Sequence, residues 1–146
     1  MQILVIPYQV SDAIPIYCIF KRSDAHYWQF IAGGAEDNET PCEAAKREAF
    51  EEANLYEGLE YYQLTSKFHV PADCILPRHR QYWSKDTFVL PEYCFSVKVS
   101  DTNITLSSEH EEFRWVSYEK AIELLKWETN KTALFELDNR IKKNLF

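Results

Sequence analysis

The chain has 146 residues, the usual size of one domain, and its 46% hydrophobic content with 15% aromatics is ample for a core. A net charge of −7 argues against a surface built for DNA or RNA, but a small phosphorylated ligand stays open because a bound metal can reverse the local sign. No segment approaches about 20 apolar residues, so no membrane span is expected, and MQILVIPYQV at the start lacks the basic end and apolar length of a signal peptide.

One domain over residues 1–146 is therefore expected. Cys18, Cys42, Cys74 and Cys94 show no CxxC spacing and read as reduced thiols of a cytoplasmic protein. Residues 2–10 and 15–21, rich in Ile, Val and Tyr, read as strands joined by a turn around Ser11 and Asp12. A loop from Ser23 to His26 leads to a short strand at 27–31. Only three glycines occur, and two are adjacent, Gly33 and Gly34. That pair marks backbone that turns sharply or approaches something closely.

The next helix is well signposted. Thr40 suits the N-cap, Pro41 the first position and Glu43 the third, which completes a capping box. Cys42, Ala45, Ala49 and Ala53 form a small apolar stripe to face a sheet, with Glu48 and Glu52 to one side. Asn54 is suited to end the helix in the left-handed conformation. Residues 60–70 and 87–99 read as longer strands, the second alternating at Tyr93, Phe95, Val97 and Val99. Between them lies an aromatic and basic loop containing Arg78, His79, Arg80 and Trp83. An acidic turn from Glu109 to Glu112 precedes a short strand at 113–116. Two helices follow, one capped by Ser117 through Lys126, the other capped by Asn130 through about residue 143. Strands, one crossover helix, more strands and closing helices make a mixed α/β layered domain.

Glu48, Glu51 and Glu52 stand at i, i+3 and i+4, within an arc of about 100° on the helix. Like charges so spaced cost a helix roughly 0.2–0.5 kcal/mol per pair, and acids near its C-terminus oppose the dipole by about 0.3–1 kcal/mol each. A cation is expected to offset them, and an all-oxygen donor set suits Mg²⁺. His79 and His110 are poor candidates for such a site, since imidazole prefers softer metals.

The stretch Gly33-x5-Glu39-x7-Arg47-Glu48-Ala49-Phe50-Glu51-Glu52-Ala53-Asn54-Leu55 resembles the Nudix box, G-x5-E-x7-R-E-U-x-E-E-x-G-U. It departs at Asn54, where the family has Gly, and mildly at Ala49. Residues 27–34 look like the approach to the box in pterin triphosphate Nudix enzymes. Residues 109–115 with 127–133 are similar to the C-terminal signature of dihydroneopterin triphosphate pyrophosphohydrolases.

The resemblance implies a Nudix-type α/β/α sandwich with a mixed sheet. It implies hydrolysis of a phosphoanhydride in a pterin or nucleoside triphosphate, dihydroneopterin triphosphate being favoured, with Mg²⁺ or Mn²⁺ as cofactor. Oxidised dNTPs or dinucleoside polyphosphates are alternative substrates, and a non-catalytic nucleotide-binding regulator is the alternative from another class. The partners so implied are small-molecule triphosphates or diphosphates, with no nucleic-acid polymer or membrane; a homodimer is left open. Carried over residue by residue, Glu48 and Glu52 hold metal, and Glu51 is a further ligand or positions water. The Gly33 carbonyl is a backbone ligand, and Arg47 orients a glutamate with Glu39 as partner. Glu109 is the extra carboxylate and candidate general base, with Glu111 and Glu112 as rivals. Arg22, Ala32, Arg78 and Arg80 are candidate substrate contacts, Trp28 and Trp83 candidate stacking platforms, and Asn130 a candidate partner for a heterocycle edge.

Overall fold

The computed structural model describes residues 1–75, 83–100 and 103–146. Its strands are β1 (Gln2–Ser11), β2 (Ile14–Arg22), β3 (Trp28–Gln29), β4 (Ile31–Gly34), β5 (Tyr61–Pro71), β6 (Val89–Lys98) and β7 (His110–Val116). The helices are α1 (Pro41–Ala53), α2 (Tyr118–Leu124) and α3 (Glu128–Lys143), and a 3₁₀ turn occupies Ala72–Cys74. All seven strands join one sheet of order β3-β2-β1-β6-β5, with β4 beside β1 and β7 beside β2. β1 and β6 run parallel and the other pairs antiparallel, so the sheet is mixed.

β1 lies at the centre and is buried on both faces, which is why its sequence runs ILVI rather than alternating. α1 covers one face, setting Ala44, Ala45, Ala49 and Ala53 against Ile3, Val5, Phe20, Phe95 and Val97. α2 and α3 cover the other, where Ala133, Leu134 and Leu137 pack on Leu4, Ile6, Tyr17, Ile19 and Phe30. Each fully buried leucine there contributes about 1.5–3 kcal/mol. The result is an α/β/α sandwich. No helix among the described residues is long and apolar enough to cross a membrane.

Several boundaries differ from the sequence expectation, each for a physical reason. The strand expected at 27–31 is split at Phe30: β3 pairs with β2 and β4 with β1. The Phe30 N–H, lost to the ladder, donates instead to Asn130 Oδ1 at 3.0 Å. Asn130 therefore lies inside the first turn of α3, whose N-cap is Trp127, and does not cap that helix. α2 stops at Leu124 because Leu125 bridges to Trp28 and the Lys126 N–H donates to the Trp28 carbonyl. β7 starts three residues early, at His110, drawn in by pairing with Arg22. The β1–β2 hairpin turns on Asp12 and Ala13, both in the left-handed region at φ 53° and 64°.

Candidate active site

α1 begins as its sequence predicts. Thr40 Oγ1 accepts from the Glu43 N–H, and the Glu43 carboxylate accepts from the Thr40 N–H. It ends at Asn54 in the left-handed conformation, φ 56°. This fixes the register in which the glutamates meet the sheet. Gly33 and Gly34 have no positive φ, so the pair is not a sharp turn. Close approach is the reason for Gly33: a Cβ there would overlap the Glu48 carboxyl group.

The three glutamates are not equivalent. Glu52 is 1% exposed, the Glu48 side chain 13% and the Glu51 side chain 53%. The helix stripe thus includes Glu52 itself, a correction to the expectation that it stands aside with Glu48. Part of the expected charge compensation also comes from within the chain. Arg47 grips Glu39 with two bonds of 2.7 and 3.0 Å, Glu48 at 3.0 Å, Glu51 at 3.1 Å and the Gly34 carbonyl at 2.8 Å. The planar guanidinium suits this task because its donors are fixed in direction.

Arg47 leaves Glu52 unserved. Neither Glu52 oxygen has a hydrogen-bond donor. Burial raises the Glu52 pKa well above its ordinary value, and Glu109 and Glu48 raise it further. The Ala32 N–H pulls the other way without reaching hydrogen-bond geometry. Glu48 is pushed up to about 7, first by burial; Arg47 opposes this, while Glu51 and Glu109 add to it. A carboxylate pair with no donor between them is held together by a shared proton or a cation.

Glu109 comes to Glu52 by main-chain tethers. The Thr105 and Ser107 N–H groups donate to the Ala53 and Glu52 carbonyls, at 3.3 and 3.2 Å. The Ser23 N–H then holds the Glu109 carbonyl at 2.9 Å. Glu111 pairs with His26 at 2.8 Å and Lys21 at 3.8 Å, and Glu112 with Arg114 at 2.9 Å. Of these three, Glu109 is the one facing Glu48 and Glu52.

The expected substrate contacts are dispersed. Arg22 ends β2 in a two-bond pair with Asp24, at 2.8 and 2.9 Å. Trp28 is 8% exposed, in the α3-side core with the Arg114 guanidinium 5.0 Å from its ring centroid. This corrects the expectation that Trp28 offers a ring face to a heterocycle. Asn130 is 3% exposed with its carbonyl oxygen committed to Phe30, so it does not present that oxygen to a ligand edge. Ala32 packs toward α3, and Trp83 is half-buried in the segment leading to β6. Arg78, His79 and Arg80 lie outside the described residues.

The sequence reading missed two buried polar groups, Gln29 and Glu92, each with an unpartnered atom; His110, weighed there only as a metal ligand, is buried with both ring nitrogens unpartnered. The only signal for Glu92 was an acid within a strand whose other face alternates apolar.

Among the described residues, no three His, Cys, Asp or Glu side chains converge closely enough to hold an ion as they stand. The donors nevertheless fit one. Two orphaned carboxylate oxygens on Glu52, the flanking Glu48 and Glu109, and the nearby Gly33 backbone form an oxygen-only set suited to a hard divalent cation.

Comparison with known proteins agrees with this geometry. The NUDIX domain model matches residues 7–137. The dihydroneopterin triphosphate diphosphatase of Haemophilus influenzae is 30% identical over 99% of this chain and 86% of its own length. The asymmetrical bis(5'-nucleosyl)-tetraphosphatase of Sus scrofa is 28% identical over 90% of this chain and 83% of its own. A structure described as a NUDIX hydrolase from Listeria monocytogenes superposes with a TM-score of 0.85 at 44% identity, covering 99% of this chain and 95% of that one. With Glu39, Glu48 and Glu51 gathered on Arg47, Glu48 against Gly33 and the family model matched over residues 7–137, the chain belongs to the Nudix family and is a Nudix pyrophosphohydrolase.

Proposed function

We propose that the protein hydrolyses a phosphoanhydride bond of a pterin or nucleoside triphosphate, releasing pyrophosphate and a monophosphate, with Mg²⁺ or Mn²⁺ as cofactor. Dihydroneopterin triphosphate is the favoured substrate. The observation that carries the metal-dependent reading is Glu52, buried without a donor and facing Glu109. Similarity to the Haemophilus influenzae diphosphatase along 99% of the chain supports the choice of substrate.

Glu48, Glu52, Glu109 and the Gly33 carbonyl would hold the metal. When bound, it neutralises phosphate oxygens and makes a water more acidic. The remaining work belongs to the chain. Arg47 fixes one oxygen of Glu48 and one of Glu51, and so orients both carboxylates while leaving each a second oxygen. Glu51, the exposed member, is free to position water or take its proton, and Glu109 is the second candidate base. Arg22 can exchange Asp24 for a phosphate, which a guanidinium grips by the same two-bond geometry.

A second reading, cleavage of dinucleoside polyphosphates, is favoured by the similarity to the Sus scrofa tetraphosphatase. Incubation with Mg²⁺ and dihydroneopterin triphosphate, the common and oxidised nucleoside triphosphates, diadenosine tetraphosphate and a 5'-triphosphorylated RNA, with product identification, separates the readings. Pyrophosphate released fastest from the pterin is the expected result. Faster turnover of another member of the panel removes the pterin assignment.

A further inference from the structure

A row of residues crosses the end of the sheet beside the carboxylates. Gly34 on β4 pairs with Gln2 on β1, Gln2 with Glu92 on β6, and Glu92 with Phe68 on β5. Side chains alternate along a strand, so Glu92 points to the same face as Cys94, a core residue on the α3 side. Gly33, one residue from this row, points to the opposite face, against Glu48. The row therefore lies just over the sheet end from the phosphate chemistry, and Glu92 is two strand spacings, about 10 Å, from Gly34.

Glu92 is 8% exposed, and its Oε1 is buried with no partner. A core position that served only packing would not hold a carboxyl group, since burying one without donors costs several kcal/mol. The side chains first expected to hold a heterocycle on this face, Trp28 and Asn130, are committed to the core and to the Phe30 N–H. Phe68, the cross-strand neighbour of Glu92, lines a groove of about 750 Å³ between β5 and α3, together with Thr132, Phe135 and Asn139. That volume is within the range of small-molecule sites.

We propose that Glu92 is a specificity-determining residue whose carboxylate accepts the ring N–H and the adjacent exocyclic NH2 of a 2-amino-4-oxo heterocycle, the edge shared by pterins and guanine, with Phe68 as an apolar wall. This rests on the triphosphate-hydrolase reading above and names the substrate class for it. Two neighbouring oxygens matched to two neighbouring donors are the bidentate arrangement a carboxylate is built for. Adenine and the pyrimidines lack that donor pair, and hypoxanthine lacks its amino group.

The test uses Glu92→Gln, which places an amide donor against the donors of the ring. Neopterin binding, followed by the ligand's own fluorescence with no metal added, is expected to weaken at least tenfold. In the presence of Mg²⁺, kcat/KM is expected to fall on the order of 10²-fold for dihydroneopterin triphosphate and GTP, and less than tenfold for ITP. The variant is expected to melt no lower than the parent. A lower melting temperature reveals a structural partner for Glu92 and overturns the proposal, as does an equal loss on all triphosphates or no loss. If no triphosphate is hydrolysed but neopterin binds through Glu92, the hydrolase reading fails and this one stands. If triphosphates turn over and neopterin does not bind the parent, the reverse holds; if neither occurs, both fall.

Discussion

Two helices pack on opposite faces of one sheet, and each carries a carboxylate against it, yet the two sites treat that charge oppositely. On α3, Glu136 accepts from the Thr65 N–H at 2.7 Å, from the Ser66 N–H at 2.7 Å and hydroxyl at 2.6 Å, and from Arg140 at 2.7 Å. Burial pushes the Glu136 pKa up, but these donors outweigh it and hold the group below its ordinary value. On α1, Glu52 has no donor and its pKa is raised. A carboxylate that is part of the architecture is surrounded by donors, here filling the gap where β5 and β6 slip register between Gln63 and Lys67. One left bare is held ready for something that arrives later.

Exchanging each carboxylate for its amide breaks this comparison most directly. Glu52→Gln should lower turnover on the order of 10²-fold or more while raising the melting temperature of the metal-free protein, because the amide donates to Glu109. Equal activity, or a lower melting temperature, would remove Glu52 from this role. Glu136→Gln should do the opposite to stability, losing about 1–3 kcal/mol in chemical denaturation, because an amide NH2 then confronts backbone donors.

Arg47→Lys probes the boundary between the two behaviours. A lysine cannot hold Glu39, Glu48, Glu51 and the Gly34 carbonyl together, so activity or metal affinity should drop by about 10–100-fold. Calorimetric titration with Mn²⁺ and steady-state kinetics check this.

The pH dependence sharpens the contrast. Glu48 and Glu92 are each pushed by burial up to about 7, and Glu52 is raised as well. The folded state binds these protons more tightly than the unfolded chain. Stability of the metal-free protein should therefore be highest below about pH 4.5 as far as these groups act, and should be lost as pH rises through 7. Glu136, with its lowered pKa, acts in the other sense and loses its contribution only in acid. Melting curves from pH 5 to 8 should fall in the metal-free protein, and added Mg²⁺ should flatten the fall.

The smallest expected effect lies outside both regions and gauges the background. Ala13 sits at φ 64°, where a Cβ is strained, so Ala13→Gly should gain about 1 kcal/mol without altering the pH profile. Denaturation midpoints at two pH values check it.

The box helix was legible in the sequence because its signals are local. Thr40, Glu43 and Asn54 act within a few residues of themselves, and the spacing from Gly33 to Glu52 survives folding as a contact between Gly33 and Glu48. What the sequence could not reveal is non-local. The different burial of Glu48, Glu51 and Glu52 depends on how deeply α1 presses on the sheet. Trp28 and Asn130 looked available until α3 closed over one and the break at Phe30 claimed the other. Glu92 was invisible for a related reason. Alternation at Tyr93, Phe95 and Val97 marks one buried face, and nothing in a period of two says that the other face is covered too.

The Thr105 and Ser107 amides that clasp the last turn of α1 act as a fixed caliper between two distant stretches of chain. Side-chain changes in the strap from 103 to 108 should leave its opening unaltered. Inserting a single residue between Ser107 and Glu109 would swing Glu109 away from Glu52, so natural length variation ought to avoid that short span even where its composition drifts.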